Sequence, residues 1–294
     1  MSSPVGGEGS LGIVKENSFG AGGSVTKFEP ILSESINIAE GNIYSDRIRD
    51  SAEQTGSNQG FHTVGGDVVI PVSPKIKGEW FNCALGQSTS PYYVERPLPS
   101  LMLQIDHITS GLQASGCMIE SMNISSSQGA ELQMTVGIQG KGGASYTPAT
   151  ASFTSGDTPY VHSEGVVLLN NIEDNSVTTW NVSIANNLVA DLYGTSRQRI
   201  DLPAGKLVVT GSYTKLFDDV VERTAFLANM PRSFKARFQR GTNNLTIWLP
   251  LIKYDGHVEA IGGQSEYILE NFNFTAYSAD PASQYSIRIS GDFS

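Results

Sequence analysis

Apolar and polar residues alternate with a period of two along most of the chain, which is typical of strands with one buried face. Residues 119–125 and 269–275 are the clearest examples, and both carry Glu and Asn at the same places. The alternation predicts strands within residues 28–40, 61–72, 98–106, 117–125, 130–140, 165–170, 178–185, 206–217, 234–239, 245–254, 268–277 and 285–290.

Two short segments have a helical pattern instead. The first begins with Ser73-Pro74 as N-cap and first helical position and ends at Gly86. The second begins at Asp218 or Asp219 and ends before Pro231. The predicted buried face of the first helix consists of Ile76, Trp80, Cys83 and Ala84. That of the second consists of Val220, Val221, Thr224, Leu227 and Ala228.

The order of these features repeats, which predicts an internal duplication. The two helical patterns, the strands that contain Gly66 and Gly211, the pair 119–125 and 269–275, and the pair 133–140 and 284–291 recur at offsets of about 144 to 151 residues. We therefore predict an N-terminal arm over residues 1–27, a first β domain over 28–141, a linker over 142–163 and a second β domain over 164–294.

Two polar or glycine-rich segments lie outside this pattern. The arm holds seven glycines, a density that makes an independent helix or strand entropically costly. Residues 45–60 are polar and of mixed charge. They have two interpretations, a solvated loop or an arm that a neighbouring subunit orders.

Composition excludes several classes of protein. The net charge is −10 and there is no basic run, which disfavours stable nucleic-acid binding. No apolar stretch is long enough to cross a membrane and the first residues do not resemble a signal peptide, so we expect assembly in a cytosol. Cys83 and Cys117 stand in apolar segments without a C-x-x-C spacing, which predicts buried thiols.

Motifs for catalysis or for cofactors are missing from the sequence. His62, His107, His162 and His257 lie in separate segments, with no paired metal-ligand spacing. The G-x-G-x-x-G pattern at residues 7–12 follows no predicted strand, and no G-x-S-x-G is present. We therefore predict that the protein is not an enzyme and has no catalytic, metal or cofactor-binding residues and no cofactor.

Several segments, taken in order, resemble the tail tube (major tail) proteins of long-tailed bacteriophages. They are residues 15–20 (KENSFG), 28–35 (FEPILSES), 45–49 (SDRIR), 65–68 (GGDV), 84–86 (ALG), 186–188 (NNL), the Gly211 strand leading to 217–219 (FDD), and 249–250 (LP). The resemblance extends along nearly the whole chain and depends on the order of the segments, since each segment alone is unspecific.

This resemblance implies a mainly β fold: two tandem tail-tube-like β-barrel or sandwich domains, each with one short flanking helix. It also implies a structural virion protein that self-assembles into stacked rings. These rings form the tail tube, the conduit through which the genome is delivered into the host cell. Tubes of single-domain subunits have six per ring, so a duplicated chain should form homotrimeric rings.

The resemblance further implies a location in the virion tail, after assembly in the host bacterial cytoplasm, and no membrane partner. The implied partners are further copies of the chain, the tape-measure protein, tail terminator and tip proteins, a sheath protein in the case of a contractile tail, and DNA in transient non-specific passage. As candidate assembly contacts we take Ile13 and Phe19 in the arm and Arg47 and Arg49 in the polar loop.

Two alternatives stay open at this point. One is a carbohydrate-binding or adhesin-like β-sandwich protein of a virion or cell surface, which exposed tryptophans on one face would favour. The other is an enzyme whose active site is assembled from scattered residues.

Overall fold

A computed structural model describes residues 9–46, 53, 56–108, 110–147, 150–153, 157–260, 267–279 and 285–293. Mainly β structure with two short α-helices confirms the predicted fold class. The strands of the first half are β1 (Ser10–Lys15), β2 (Lys27–Glu29), β3 (Ser33–Glu34), β4 (Asn37–Tyr44), β5 (Ser57–Pro71), β6 (Leu101–Asp106), β7 (Gly111–Ser127), β8 (Gln133–Gly140) and β9 (Gly142–Tyr146), with helix α1 (Glu79–Leu85) between β5 and β6. Those of the second half are β10 (Gly165–Leu169), β11 (Ile172–Glu173), β12 (Val177–Ala185), β13 (Val208–Leu216), β14 (Arg232–Arg240), β15 (Asn243–Ala260), β16 (Leu269–Ala276) and β17 (Arg288–Gly291), with helix α2 (Val221–Leu227) between β13 and β14.

The first half folds as two antiparallel layers that share one long strand. One layer has the order β4, β5, β8, β7. The other has the order β2, β1, β6, β7, β9. Strand β7 passes from the second layer to the first between Cys117, which pairs with Leu101 of β6, and Met118, which pairs with Gln139 of β8, and a bulge follows at Glu120. A bulge of this kind bends a strand and lets it serve two layers.

The second half repeats this topology, with β12 in the place of both β3 and β4, which pair with β5 in one continuous register. One layer has the order β12, β13, β16, β15. The other has the order β11, β10, β14, β15, β17. Strand β15 passes between the layers at Ile252, which pairs with both Arg232 of β14 and Ala276 of β16, and a bulge follows at Asp255. The halves are thus two copies of one fold, each with a single short helix after its second long strand.

The strand pairing also shows which sequence similarities connect equivalent positions. Gly66 lies opposite Ile138 and Gly211 opposite Phe274, so the match of the two glycine strands is confirmed. The match of residues 119–125 with 269–275 is wrong, because β7 corresponds to β15 and β16 corresponds to β8. The match of 133–140 with 284–291 fails likewise. Neighbouring strands of one half-buried sheet share their alternation, so a seven-residue pattern does not distinguish them.

One ladder joins the two halves into a single sheet. Strand β7 pairs with β12 from Ser121 opposite Ala185 to Ser127 opposite Thr179. The joined sheet has eight antiparallel strands in the order β4, β5, β8, β7, β12, β13, β16, β15. The predicted domain boundaries stay predictions, and the hydrogen-bonded joint shows how closely the two halves are connected.

The core lies on one face of this sheet. A row of directly paired, buried side chains crosses five strands: Val136, Met122, Ile184, Val209 and Ala276. Cys83 and Cys117 are buried thiols, as predicted, and burial raises the pKa of both.

The two helices differ in how much apolar surface they bury. The predicted face of α1 is confirmed as buried, although the helix begins at Glu79, several residues after Ser73-Pro74. The predicted face of α2 is wrong, since Val221 is 50% exposed and Leu227 72% exposed. The buried residues of α2 are Glu222 and Ala225, on the opposite face, and Glu222 accepts hydrogen bonds from Arg232.

Parts of the predicted arm and linker belong to the sheets. Strand β1 lies within residues 1–27 and pairs with both β2 and β6, so Gly12 is ordered by neighbouring strands and not by an independent element. Strand β9 lies within the predicted linker and pairs with β7. Among the described residues, no helix has the length and apolar character needed to cross a membrane.

Candidate functional site

The face of the eight-stranded sheet that points away from the core is lined by small polar side chains. One row of directly paired residues consists of Gln133, Ser125, Asn181, Ser212 and Asn273. The next row consists of Thr135, Asn123, Ser183, Thr210 and Thr275. Both rows cross the joint between the halves without a charged residue, so this polar face is continuous over the two halves.

Charges are present on the polar face near its margins. Asp67 is exposed and lies opposite Gly137, while Lys253 lies opposite Thr275. Asp255, at the bulge, accepts a hydrogen bond from the hydroxyl of Thr275 at 2.5 Å. A face of this composition offers hydrogen-bonding groups to water but no cluster of cations that would hold a polyanion.

A buried asparagine stabilises the joint between the halves through hydrogen bonds. The side-chain amide of Asn186, immediately after β12, donates to the carbonyls of Ala84 in α1 and Ile119 in β7, each at 3.0 Å. Its side-chain oxygen accepts a hydrogen bond from Arg96 at 3.2 Å. Asn186 is fully buried, and these contacts satisfy both ends of its amide.

The connection between β12 and β13 extends this joint over the first half. Arg199 is buried and donates to the carbonyls of Gly140 at 2.8 Å and Val64 at 3.3 Å. Arg197 donates to the carbonyl of Gly60 at 2.9 Å. Two arginines from the second half therefore bind backbone carbonyls of the first half.

Both outer edges of the eight-stranded sheet are open. Among the described residues, β4 pairs with β5 alone and the part of β15 after the bulge pairs with β16 alone. The N–H of Ser35 donates to Asp67 in β5, so the next N–H, that of Ile36, points outward. The carboxylate of Glu34 accepts it at 2.9 Å. Such capping of an edge donor is one way of protecting an open edge from uncontrolled pairing.

The arm residue Phe19 lies in a groove beside the joint between the halves. It packs against the buried side chains of Leu98, Met118 and Leu202. Its position depends on Glu16, whose buried carboxylate accepts hydrogen bonds from four donors. These donors are the backbone N–H groups of Gly20, Gly22 and Gly116 and the hydroxyl of Ser100. Sequence reasoning did not identify Glu16, because only Gly20 and Gly22 among its donors lie close to it in the sequence.

Of the other candidate contacts, the structure describes Ile13. Ile13 is fully buried in β1, opposite Leu103 of β6 and Lys27 of β2, inside its own chain. Arg47 and Arg49 lie outside the described residues. They belong to the connection between β4 and β5, which corresponds in the repeat to the connection between β12 and β13.

The second half has ionisable groups where the first half is apolar. Lys215 and Glu270 are buried and occupy the positions of Ile70 and Met134. Burial disfavours the charge of Lys215, but hydrogen bonds to Asp218 and Asp174 raise its pKa above the ordinary value.

Glu270 lies beside a histidine and a second carboxylate. Burial raises its pKa, against the effect of its hydrogen bond with His257 at 3.2 Å. His257, Glu259 and Glu270 have possible ligand atoms within 4.8 Å of one another. The carboxylate of Glu259 is also paired with Arg223 at 3.2 Å, a neighbour that competes with a cation for it.

The comparison with protein families agrees with these features. A family model described as phage tail tube protein matches residues 6–276. No curated protein matches the chain. Because the match covers both halves of the repeat, including the joint and the two open edges, the chain belongs to the phage tail tube protein family.

Proposed function

We propose that three copies of this chain close into a ring, that rings stack into the tail tube, and that the genome passes through the tube to the host cell. The observation that carries this proposal is the joint between β7 and β12. It already links two copies of one fold side by side within a chain, and it leaves one open strand at each end of the joined sheet.

Repetition of the same joint between chains produces a closed ring. Each half contributes four strands to the sheet, so three chains give six halves and a barrel of about 24 strands. With strands about 4.8 Å apart and tilted by about 40°, the backbone circle has a diameter on the order of 45 to 50 Å. This leaves room for a DNA duplex inside the side chains.

The polar face is assigned to the lumen for reasons of space. The core, the helices and the second layers all lie on the other face of the sheet, and six such bodies do not fit inside a circle of this size. A wall of Ser, Thr, Asn and Gln hydrates well and offers few cations to phosphate. Passage of DNA would then be passive, with the wall preventing adhesion. The chain needs no catalytic group or cofactor for this role.

The candidate contacts acquire specific roles in such a ring. Arg47 and Arg49 would reach the next chain as Arg197 and Arg199 reach the first half of their own chain. Phe19, held by Glu16 at the surface groove, would meet an adjacent ring. Ile13, buried in β1, would support the arm from within. Tape-measure, terminator, tip and sheath proteins remain proposed partners of the finished tube.

The alternative of a carbohydrate-binding protein depends on exposed tryptophans. Trp80 and Trp180 are buried, and Trp248 is half-buried with Lys235 above its ring at 5.1 Å. This arrangement favours the tube over a sugar-stacking platform.

Electron microscopy of the purified chain tests the proposal. We expect hollow filaments or rings by negative stain, and end-on averages that fit three full-length chains around a six-lobed wall. A protein that stays monomeric over a wide range of concentration and salt would refute the tube. Rings that contain six full-length chains would refute the trimer alone.

A further inference from the structure

The internal joint predicts the residue register of the joint between chains. We propose that the open edge of β4 pairs antiparallel with the open part of β15 in a second copy of this chain, with Asn37 opposite Val258. This pairing rests on the proposed ring. Ile36 then lies opposite Glu259, and Ile38 opposite His257.

The position of β4 in this register follows from its equivalence to β12. Asn37 pairs with the residue before Gly66, and Ser183 pairs with the residue before Gly211. Asn37 and Ser183 are therefore equivalent. In the internal joint, Ser183 lies opposite Asn123 of β7.

The position of β15 follows from its equivalence to β7. Each strand has a bulge within its pairing to the next strand of the joined sheet, at Glu120 where β7 pairs with β8 and at Asp255 where β15 pairs with β16. Three residues after these bulges stand Asn123 and Val258, which are therefore equivalent. Replacing Ser183 by Asn37 and Asn123 by Val258 in the internal joint gives the proposed pair.

The outward hydrogen-bonding groups agree with this register. In the internal joint, Asn186 donates its N–H to the carbonyl of Glu120 at 2.8 Å, so even-numbered residues of β12 bond across the joint. The equivalent residues are Ile36, immediately before β4, and Ile38 and Glu40 within it. The N–H of Ile36 does point outward, where Glu34 caps it in the single chain. Ring closure would replace that cap with a strand ladder.

Apolar surface left exposed beside both edges is consistent with a partner of the same kind. Val258 is 58% exposed on β15, and Leu227 of the adjacent helix α2 is 72% exposed. On β4, Ile43 is 60% exposed and Tyr44 is 53% exposed. The equivalent helix α1, which lies beside the internal joint, has its apolar residues fully covered. A second copy would cover α2 as the second half covers the end of α1.

Cysteine cross-linking tests the register. Asn37 and Val258 would form a non-hydrogen-bonded pair with α-carbons about 4.5 Å apart, which suits a disulfide. In assembled protein, the variant Asn37→Cys/Val258→Cys should oxidise to covalent dimers and trimers on a non-reducing gel, with no larger product. The native thiols of Cys83 and Cys117 are buried, so they should not contribute.

Three further variants make the result specific. Asn123→Cys/Ser183→Cys should cross-link within one chain, which shows that the internal joint has the same geometry. A mixture of two single variants, Asn37→Cys and Val258→Cys, should give dimers at most. Asn37→Cys/Thr275→Cys, which places one cysteine two strands away, should not cross-link.

The outcomes separate this inference from the proposed function. Tubes whose Asn37→Cys/Val258→Cys chains stay monomeric on the gel would overturn the register and leave the tube intact. Wild-type protein that forms no rings or tubes would overturn both. Trimer cross-links in protein that forms rings but no filaments would support the joint and refute the stacked tube.

Discussion

Gly66 and Gly211 occupy the same position in the two halves of the chain, and in each half a neighbouring strand passes too close for any side chain. A β-carbon on Gly66 would lie 2.4 Å from the carbonyl oxygen of Ser35, and one on Gly211 would lie 2.5 Å from that of Asn181. The same strand crossing is thus built twice. Glycine is required at both positions because the backbone of the neighbouring strand, at Ser35 in the first half and at Asn181 in the second, leaves no space for a β-carbon.

Alanine at either glycine should destabilise the chain. We expect Gly66→Ala and Gly211→Ala each to lower the free energy of unfolding by at least about 2 kcal/mol, since a backbone carbonyl must move. Gly66 also has a φ of 146°, which adds strain for any other residue. Urea denaturation measures the change. Gly41→Ala is the control, because its nearest neighbour would lie at 3.5 Å and the stability should hardly change.

Removal of the buried amide should loosen the joint between the halves. Asn186→Ala removes the hydrogen bonds to the carbonyls of Ala84 and Ile119 and the one from the guanidinium of Arg96. A loss of about 2 to 3 kcal/mol in unfolding free energy is expected, with faster hydrogen exchange in β12. The exposed Asn58→Ala is a matched control. Equal effects of both variants would contradict a special role for Asn186.

Arginines from the two corresponding connections, β4 to β5 and β12 to β13, should have different consequences when they are replaced. Arg199→Ala removes bonds to Val64 and Gly140 within the chain, so we expect a lower melting temperature of the unassembled protein. Arg49→Ala should leave that temperature unchanged and should raise the protein concentration needed for tube formation. Light scattering during assembly and thermal denaturation of the single chain separate the two effects. An Arg49→Ala chain that assembles normally would remove Arg49 from the list of contacts.

Stability should fall as the pH rises towards 8 because of one buried acid. Burial raises the pKa of Glu29 from 4.5 to about 8, despite the nearby charge of Lys77. The folded chain therefore keeps a proton that the unfolded chain releases. This contribution to stability is complete below about pH 4.5 and is lost as the pH rises to about 8. Above that range it is absent.

Replacement of this acid by its neutral analogue tests the assignment. Glu29→Gln should raise the free energy of unfolding at pH 8 by on the order of 3 kcal/mol and change it little at pH 5. Thermal denaturation of variant and wild type at both pH values gives the difference. A variant that is equally destabilised at both pH values would mean that the carboxylate is needed in its charged form.

Local patterns were sufficient for the long strands, for the buried face of α1 and for the equivalence of Gly66 and Gly211, but not for β1 and β9, which lie in the predicted arm and linker. They were not sufficient for α2, where exposure of Val221 and Leu227 depends on what packs beside the helix. In the first half the chain itself supplies the neighbour. In the second half a neighbour from another chain is proposed. An amphipathic pattern cannot separate these cases, because an apolar residue looks the same in the sequence whether its own chain or a second chain covers it.

The candidate site was less accessible to sequence reasoning, because it consists of relationships between distant strands. The polar rows can be recognised only when the register of β7 with β12 is known. The open edges can be recognised only when all the other strand pairings are known. Glu16 shows the same limit at the level of one residue. Its carboxylate accepts from Gly116, which is 100 positions away in the sequence.

A lysine on the polar face should convert a passive wall into one that holds DNA. Asn123 lies in the middle of a polar row, between Thr135 and Ser183, so three copies of Asn123→Lys would place three cations at one level of the lumen. We expect variant tubes to retain duplex DNA at low salt and to release it as salt increases, because each phosphate contact releases counterions. Wild-type tubes should retain none at physiological ionic strength.

The matched control places a lysine on a different surface. Thr242 is exposed in the turn between β14 and β15, away from the polar face, so Thr242→Lys adds the same charge outside the proposed lumen. Retention should be measured after nuclease treatment, which removes DNA bound to the exterior. DNA that is protected in Asn123→Lys tubes but not in Thr242→Lys tubes would place this face inside the tube. Equal protection by both variants, or salt-sensitive retention by wild-type tubes, would mean that the lumen is lined by another surface.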